Sequence, residues 1–362
     1  VSTRLFLSDE GFDALAAALA AGGARVVVPA PRPDGSVEYR EFAPGPADRP
    51  FRIEIGAPSP TRSLKEFFLP PTEPLLRWRR GPDGLELVDV PPKAPRTVVL
   101  GARPCDAAAL PIVDKVMDWD YRDENWFARR RATTIVSVAC AGPVDQSCFC
   151  AAVGLGPDAS RGSDVLLVPV SGGFVAEVAS EAGQALVDAN AALFGAADEA
   201  KAADAAARRS AAREKVAANL PIDLERTRAW LEAHFDDPAW SAIALRCHGC
   251  GACASVCPTC HCFDIVDEAE GLDGGTRRRN WDTCQAAKFT LHASGHNPRP
   301  GQNARFRQRV LHKFFIYPAK FGETLCTGCG RCARVCPGGM DILEALRAAD
   351  ARAAAPAGDV AR

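Results

Sequence analysis

No apolar run long enough to cross a bilayer as a helix, about eighteen residues, occurs anywhere in this 362-residue sequence, which excludes a transmembrane helix. Net charge is nearly absent as well. Forty-three lysines and arginines stand against forty-five aspartates and glutamates, a balance of -2, which argues against bulk electrostatic attraction to nucleic acid or to an anionic membrane. Partners are then selected by shape. A dinucleotide fingerprint of the G-x-G-x-x-G type is missing, so nothing in the sequence marks a dinucleotide-binding loop. The opening stretch, Val1 to Phe12, is short and mixed with charge and does not read as a hydrophobic signal segment. With fifteen cysteines, this points to a reducing compartment, the cytoplasm, where thiols serve metals rather than disulfides. Hydrophobic residues make up 47% of the chain, which is long enough for two domains that each bury a core.

What the sequence does have is concentrated in its last third. Cys247, Cys250, Cys253 and Cys257 are followed by Pro258, and Cys326, Cys329, Cys332 and Cys336 by Pro337. This is the bacterial ferredoxin run C-x2-C-x2-C-x3-C-P, written twice. Three thiolates at that spacing wrap one 4Fe-4S cube, while the fourth cysteine ligates the other cube in two-cluster ferredoxins. The expected sets are therefore Cys247, Cys250, Cys253 and Cys336 for one cube, and Cys326, Cys329, Cys332 and Cys257 for the second. Each proline biases the preceding cysteine toward an extended conformation. Gly249, Gly251, Gly328 and Gly330 let the backbone approach the inorganic sulphides. Paired structural zinc sites are the alternative, but they rarely use this triple spacing twice with prolines after it. No catalytic residue is expected.

The rest reads as α+β: a mixed α/β domain over residues 1–195, a charged helical connector over 196–220, and a mainly helical, ferredoxin-like two-cluster domain over 221–362 with a long insertion between its motifs. Phe12 to Ala21 predicts a helix stopped at Gly22-Gly23. Arg25 to Pro29 and Val37 to Phe42 predict a hairpin across Pro33-Asp34-Gly35. Leu64 to Leu69 and Leu75 to Trp78 form a proline-interrupted amphipathic stretch. Thr97 to Leu100 and Thr134 to Val138 predict strands, each running into a small-residue loop that carries cysteine, the layout of an α/β unit with functional groups at strand carboxyl ends. Val165 to Val170 and Phe174 to Val178 predict strands, Glu181 to Phe194 a helix, Ala196 to Leu220 a solvated helix, Leu224 to Phe235 an amphipathic helix, and Ile342 to Ala355 a terminal helix before a frayed tail. The basic run from Arg299 to Lys313, with Phe306, Phe314, Phe315 and Tyr317 interleaved, reads as packing against the cluster domain rather than a nucleic-acid patch.

Seven cysteines remain: Cys105, Cys140, Cys148, Cys150, Cys260, Cys262 and Cys284. Two readings stay open for Cys105, Cys140, Cys148 and Cys150. They can converge on a third metal centre, although no standard spacing supports it, or they can be buried small hydrophobes. Cys260, Cys262 and Cys284 are ligands or merely line the clusters. His248, His261, His292, His296 and His312 read as structural or surface groups rather than ligands.

Several stretches together resemble a known family: Leu64-Lys65-Glu66-Phe67-Phe68-Leu69-Pro70, Gly101-Ala102-Arg103-Pro104-Cys105-Asp106, Ser147-Cys148-Phe149-Cys150, Cys257-Pro258-Thr259-Cys260, Asn297-Pro298-Arg299-Pro300 and the second ferredoxin run. The family is the beta, iron–sulphur, subunit of cytoplasmic NiFe hydrogenases of the sulphhydrogenase type, and the matching component of anaerobic sulphite reductase is its close relative. The resemblance implies a hetero-oligomer in which this chain carries electrons between a flavoprotein diaphorase, holding FAD and handling NAD(P)H, and a second partner. That partner is a NiFe small and large subunit pair or, in the relative, a sirohaem subunit. The N-terminal domain would then serve mainly for docking.

Overall fold

The structure is a computed structural model that describes residues 4–45, 52–56, 59–219 and 221–355. The tail expected after Ala355, and Leu220 at the connector's end, lie outside the described residues.

Twelve strands are present among the described residues: β1 (Leu5–Ser8), β2 (Arg25–Pro31), β3 (Val37–Glu41), β4 (Thr72–Gly81), β5 (Gly84–Asp89), β6 (Thr97–Ala102), β7 (Thr133–Val138), β8 (Val165–Val170), β9 (Gly173–Val178), β10 (Phe194–Ala196), β11 (Phe263–Ala269) and β12 (Gly274–Trp281). Eight of them form one sheet in the order β10-β1-β9-β8-β7-β6-β2-β3, with β2, β6, β7 and β8 running parallel at its centre. Such central strands are covered on both faces and read as continuous apolar runs. Alternate residues go to opposite sides. Val26, Val28, Val98, Leu100, Val136 and Val138 meet Phe12, Leu15 and Leu19 of the helix Asp9–Ala21, while Val27, Val99 and Ile135 meet Leu110 and Val113 of the helix Pro104–Met117. Ser8 caps the first helix, its Oγ accepting from the Gly11 N–H at 2.9 Å.

The expected hairpin of Arg25 to Phe42 is present as β2 and β3. The helix expected over Glu181 to Phe194 stops at Ala189, because the Asn190 side chain donates to the Leu186 carbonyl at 2.8 Å and Phe194 turns extended to pair with β1. The connector is a helix, Glu199–Ala217, but it is not simply solvated. Ala205, Ala212 and Val216 are buried, and Arg209 and Arg213 hold Asp158.

The C-terminal part combines helices with a strand pair. Its helices Leu224–Ala233, Ala239–Ile243, Gln302–Leu311 and Ile342–Ala354 bury Trp230, Leu231, Trp240, Phe306, Val310, Phe314, Leu343 and Leu346 in one core. The stretch between the two cysteine motifs, however, contributes the hairpin β11–β12, and β12 pairs antiparallel with β4 to make a second, four-stranded sheet in the order β11-β12-β4-β5. Cross-strand ion pairs favour the extended form here, Arg277 with Asp267 and Arg278 with Glu268, both at 2.8 Å. Buried Glu73 of β4 then accepts from Arg279 of β12 (Nε, 2.9 Å) and from Arg129 (2.6 Å), anchoring the hairpin to the N-terminal half.

Candidate metal centre

The two cysteine loops are built alike. Gly251 (φ +76°) and Gly330 (φ +72°) each sit in the left-handed region immediately before a single helical turn, Ala252–Ser255 and Arg331–Arg334. Only glycine takes that conformation without strain. It turns the chain so that the cysteines face inward.

Two adjoining cavities result. Cys247, Cys250 and Cys253 line the first together with Cys336 from the second loop. Cys326, Cys329 and Cys332 line the other together with Cys257 from the first loop. Cys332, Arg309 and Ile342 border both. Among the described residues no three His, Cys, Asp or Glu side chains converge closely enough to hold a single metal ion. The cysteines ring voids instead, as ligands at the corners of a cube must.

The electrostatics fit an anionic group in these voids. Lys313 is 3% exposed, and its ammonium donates to Cys257 Sγ (3.4 Å), Thr259 Oγ1 (2.9 Å) and the Leu325 carbonyl (2.8 Å). Arg309, also 3% exposed, donates to Cys260 Sγ (3.3 Å) and to the Cys253 carbonyl (3.2 Å). Among the described residues, neither has a carboxylate partner. A buried cation without a counter-charge is costly, and thiolates are the available counter-charge. Burial opposes charge on Lys313, but the Cys257 and Cys260 sulphurs raise its pKa above the usual lysine value. Without metal, burial pushes the Cys326 thiol up to about 12 and Cys332 to about 11. A hydrogen bond from Cys260, reinforced by Lys313 and Arg309, draws Cys257 well below its ordinary value. Gln302 Nε2 donates to Cys247 Sγ at 3.2 Å and the Gly328 N–H to Cys326 Sγ at 3.4 Å. Donors of this kind adjust the potential of a thiolate-bound cluster.

All eight ferredoxin cysteines thus line one or other of these two cavities. Of the remaining seven, Cys260 contacts Arg309, and Cys262 and Cys284 share a hydrogen bond that draws Cys284 down to about 6. Cys105 and Cys140 lie just beyond β6 and β7, and Cys148 and Cys150 lie against the second cysteine loop, Cys148 Sγ 4.0 Å from the Cys329 carbonyl. His261 and His312 touch edge to face, ring centroids 5.6 Å apart, and burial holds them at about 4 and about 3. The basic run assigned to packing packs as expected, yet two of its cations also face thiols. The signal for this was the spacing: Arg305, Arg309 and Lys313 recur every fourth residue and so share one helix face.

Paired loops with interleaved cysteines define the two-cluster iron–sulphur class, and residues 246–340 match the family model described as a 4Fe-4S dicluster domain. Over 285 residues, 78% of this chain and 81% of the relative, the sequence is 30% identical to sulfhydrogenase 2 subunit beta of Pyrococcus furiosus. The chain belongs to the family of sulfhydrogenase beta subunits, iron–sulphur proteins of electron transfer.

Proposed function

We propose that this chain is the electron-relay subunit of a cytoplasmic, NAD(P)-linked NiFe hydrogenase complex. One 4Fe-4S cube is held by Cys247, Cys250, Cys253 and Cys336, the other by Cys326, Cys329, Cys332 and Cys257. The observation that carries this reading is that those eight residues line two adjoining cavities, each with a cysteine from the opposite loop and with Cys332 bordering both. A bound cube passes one electron at a time, which lets a two-electron flavin communicate with a distant metal site. The protein's own contribution is burial, donors to sulphur, and the Lys313 and Arg309 charges that offset a buried anion.

On this reading the partners are a flavoprotein holding FAD and NAD(P)H and a hydrogenase small and large subunit pair, with residues 1–195 as the docking domain, 196–220 as connector and 221–362 as the cluster domain. The test is anaerobic affinity purification of the native complex with metals and cofactors quantified. Nickel and flavin together with at least about eight irons per copy of this chain are expected. Sirohaem in place of nickel moves the chain to a sulphite reductase complex, and zinc without iron rejects the relay.

A further inference from the structure

Strands β6 and β7 are adjacent and parallel, so the residues just beyond them lie side by side at one edge of the sheet. Cys105 is there, in the first turn of the helix Pro104–Met117, and Cys140 follows β7 by two residues. The chain after Cys140 folds back on itself. The Cys140 N–H donates to the Pro157 carbonyl at 2.8 Å, Cys148 N–H to the Asp145 carbonyl at 3.2 Å, and Val144 N–H to Cys148 Sγ at 3.4 Å. Asn219 clamps the loop through the Cys148 and Asp145 carbonyls, at 2.8 and 3.0 Å. Cys148 is thereby held against the second cysteine loop, its Sγ 4.0 Å from the Cys329 carbonyl and 3.9 Å from Arg334 Nη1, with Cys150 two residues further on.

A buried cation faces this group. Arg103 is 7% exposed, and its Nη1 lies 3.7 Å from Cys140 Sγ. No carboxylate contacts it among the described residues, and its Nη2 has no hydrogen-bond partner there. This repeats the arrangement at the ferredoxin loops, where Lys313 and Arg309 oppose cysteine sulphur alone. Four neutral thiols leave Arg103 without a counter-charge, whereas metal-bound thiolates supply one.

The group also adjoins the second cavity. Ser147 to Cys150 is seated on the second cysteine loop, with Phe149 N–H donating to the Gly328 carbonyl at 2.8 Å and Ser147 Oγ to the Gly330 carbonyl at 3.3 Å. A Cβ on Gly328 would stand 2.5 Å from the Cys150 nitrogen, so the two segments are in direct contact. Phe149, between Cys148 and Cys150, lines the second cavity itself.

We propose that Cys105, Cys140, Cys148 and Cys150 hold a third 4Fe-4S cube, with Arg103 as its buried counter-charge, placed beside the cube of the second ferredoxin loop. The proposal rests on the relay reading and extends it: the N-terminal sheet edge becomes the outer station of the wire.

The test is a count of iron and acid-labile sulphide on the full-length chain purified without oxygen. About twelve irons per chain are expected, and Cys140→Ala/Cys148→Ala should lose about a third of them while the electron paramagnetic resonance signals of the other two cubes persist. Cys260→Ser/Cys284→Ser should keep the full count. A wild-type chain with about eight irons, or with about eight irons and one zinc, overturns the third centre and leaves the two-cube relay standing. Absence of iron overturns both. Loss of a third of the iron in Cys260→Ser/Cys284→Ser, with the count unchanged in the Cys140 and Cys148 variant, also overturns the assignment. Should that variant fail to fold, Arg103→Gln serves: it keeps every cysteine and should alter one cube's signal and potential while leaving the other two unchanged. Three unchanged signals reject the role given to Arg103 and its cysteines.

Discussion

Arg331, in the second cysteine loop, grips Asp106 in the first turn of the helix Pro104–Met117 with two parallel hydrogen bonds, Nη1 to Oδ1 and Nη2 to Oδ2, each 2.7 Å, and the two side chains are 2% and 0% exposed. Tyr39 of β3 donates to the same carboxylate at 2.8 Å, and Arg331 Nε donates to the Pro60 carbonyl at 2.9 Å. A buried, fully hydrogen-bonded pair of this kind joins the large sheet to the cluster loops. Removing one partner leaves the other charge buried and alone, which typically costs about 3–5 kcal/mol. Asp106→Asn should therefore lower the stability of the cluster-loaded chain by about 3 kcal/mol or more in anaerobic denaturation, and Tyr39→Phe by about 1 kcal/mol, the worth of one hydrogen bond. Equal effects from both would show that the ion pair is not the dominant tie.

The interleaving of the loops predicts which substitutions share a phenotype. Cys250→Ser and Cys336→Ser should abolish the same cluster signal, and Cys326→Ser and Cys257→Ser the other one, each with a loss of about four irons. If Cys336→Ser instead removes the signal lost in Cys326→Ser, each loop supplies its own fourth ligand.

Lys313 supplies a positive charge 3.4 Å from Cys257 Sγ in a buried site. A nearby cation favours the more negative, reduced form of a cluster. Lys313→Met should shift the potential of the cube assigned to Cys257 negative by on the order of 60 mV or more, a tenfold change for a one-electron couple. Potentiometric titration followed by electron paramagnetic resonance measures it, and a positive shift would contradict the role given to Lys313.

His261 and His312 titrate well below the ordinary histidine value of 6.5 because burial disfavours their charged forms. The unfolded chain therefore takes up protons near pH 6.5 that the folded chain refuses until about 4 and about 3. Their contribution is intact above about pH 6.5 and is lost as pH falls below it, by at most about 1.4 kcal/mol per histidine per unit. Denaturation midpoints between about pH 7.5 and 5 should fall less steeply in His312→Gln than in the parent chain. An identical slope would place the acid sensitivity elsewhere.

Much of the architecture was legible because it is local. The apolar runs of β2, β6, β7 and β8 announced strands, and the cysteine spacing with its glycines and prolines announced both cluster loops. The hairpin Phe263–Trp281 was not legible as part of a second sheet, since its partner strand Thr72–Gly81 lies far earlier in the chain and nothing in either segment names the other. Arg309 and Lys313 were visible as a basic helix face. That this face turns toward cysteine sulphur depended on where the helix Gln302–Leu311 docks.

By itself, the sequence determined the identity of the eight cysteines that line the two cavities, because three cysteines two residues apart can close on one centre whatever surrounds them. It also determined the strands that lead into Cys105 and Cys140, because hydrophobic periodicity is a property of neighbouring residues. Only the tertiary structure decided that the segment of Cys148 and Cys150 seats on the second cysteine loop, that Asp106 receives Arg331, and that buried Lys313, Arg309 and Arg103 lie against cysteine sulphur. These are contacts between segments far apart in the chain, and they exist only once strand order and helix docking have closed the intervening loops.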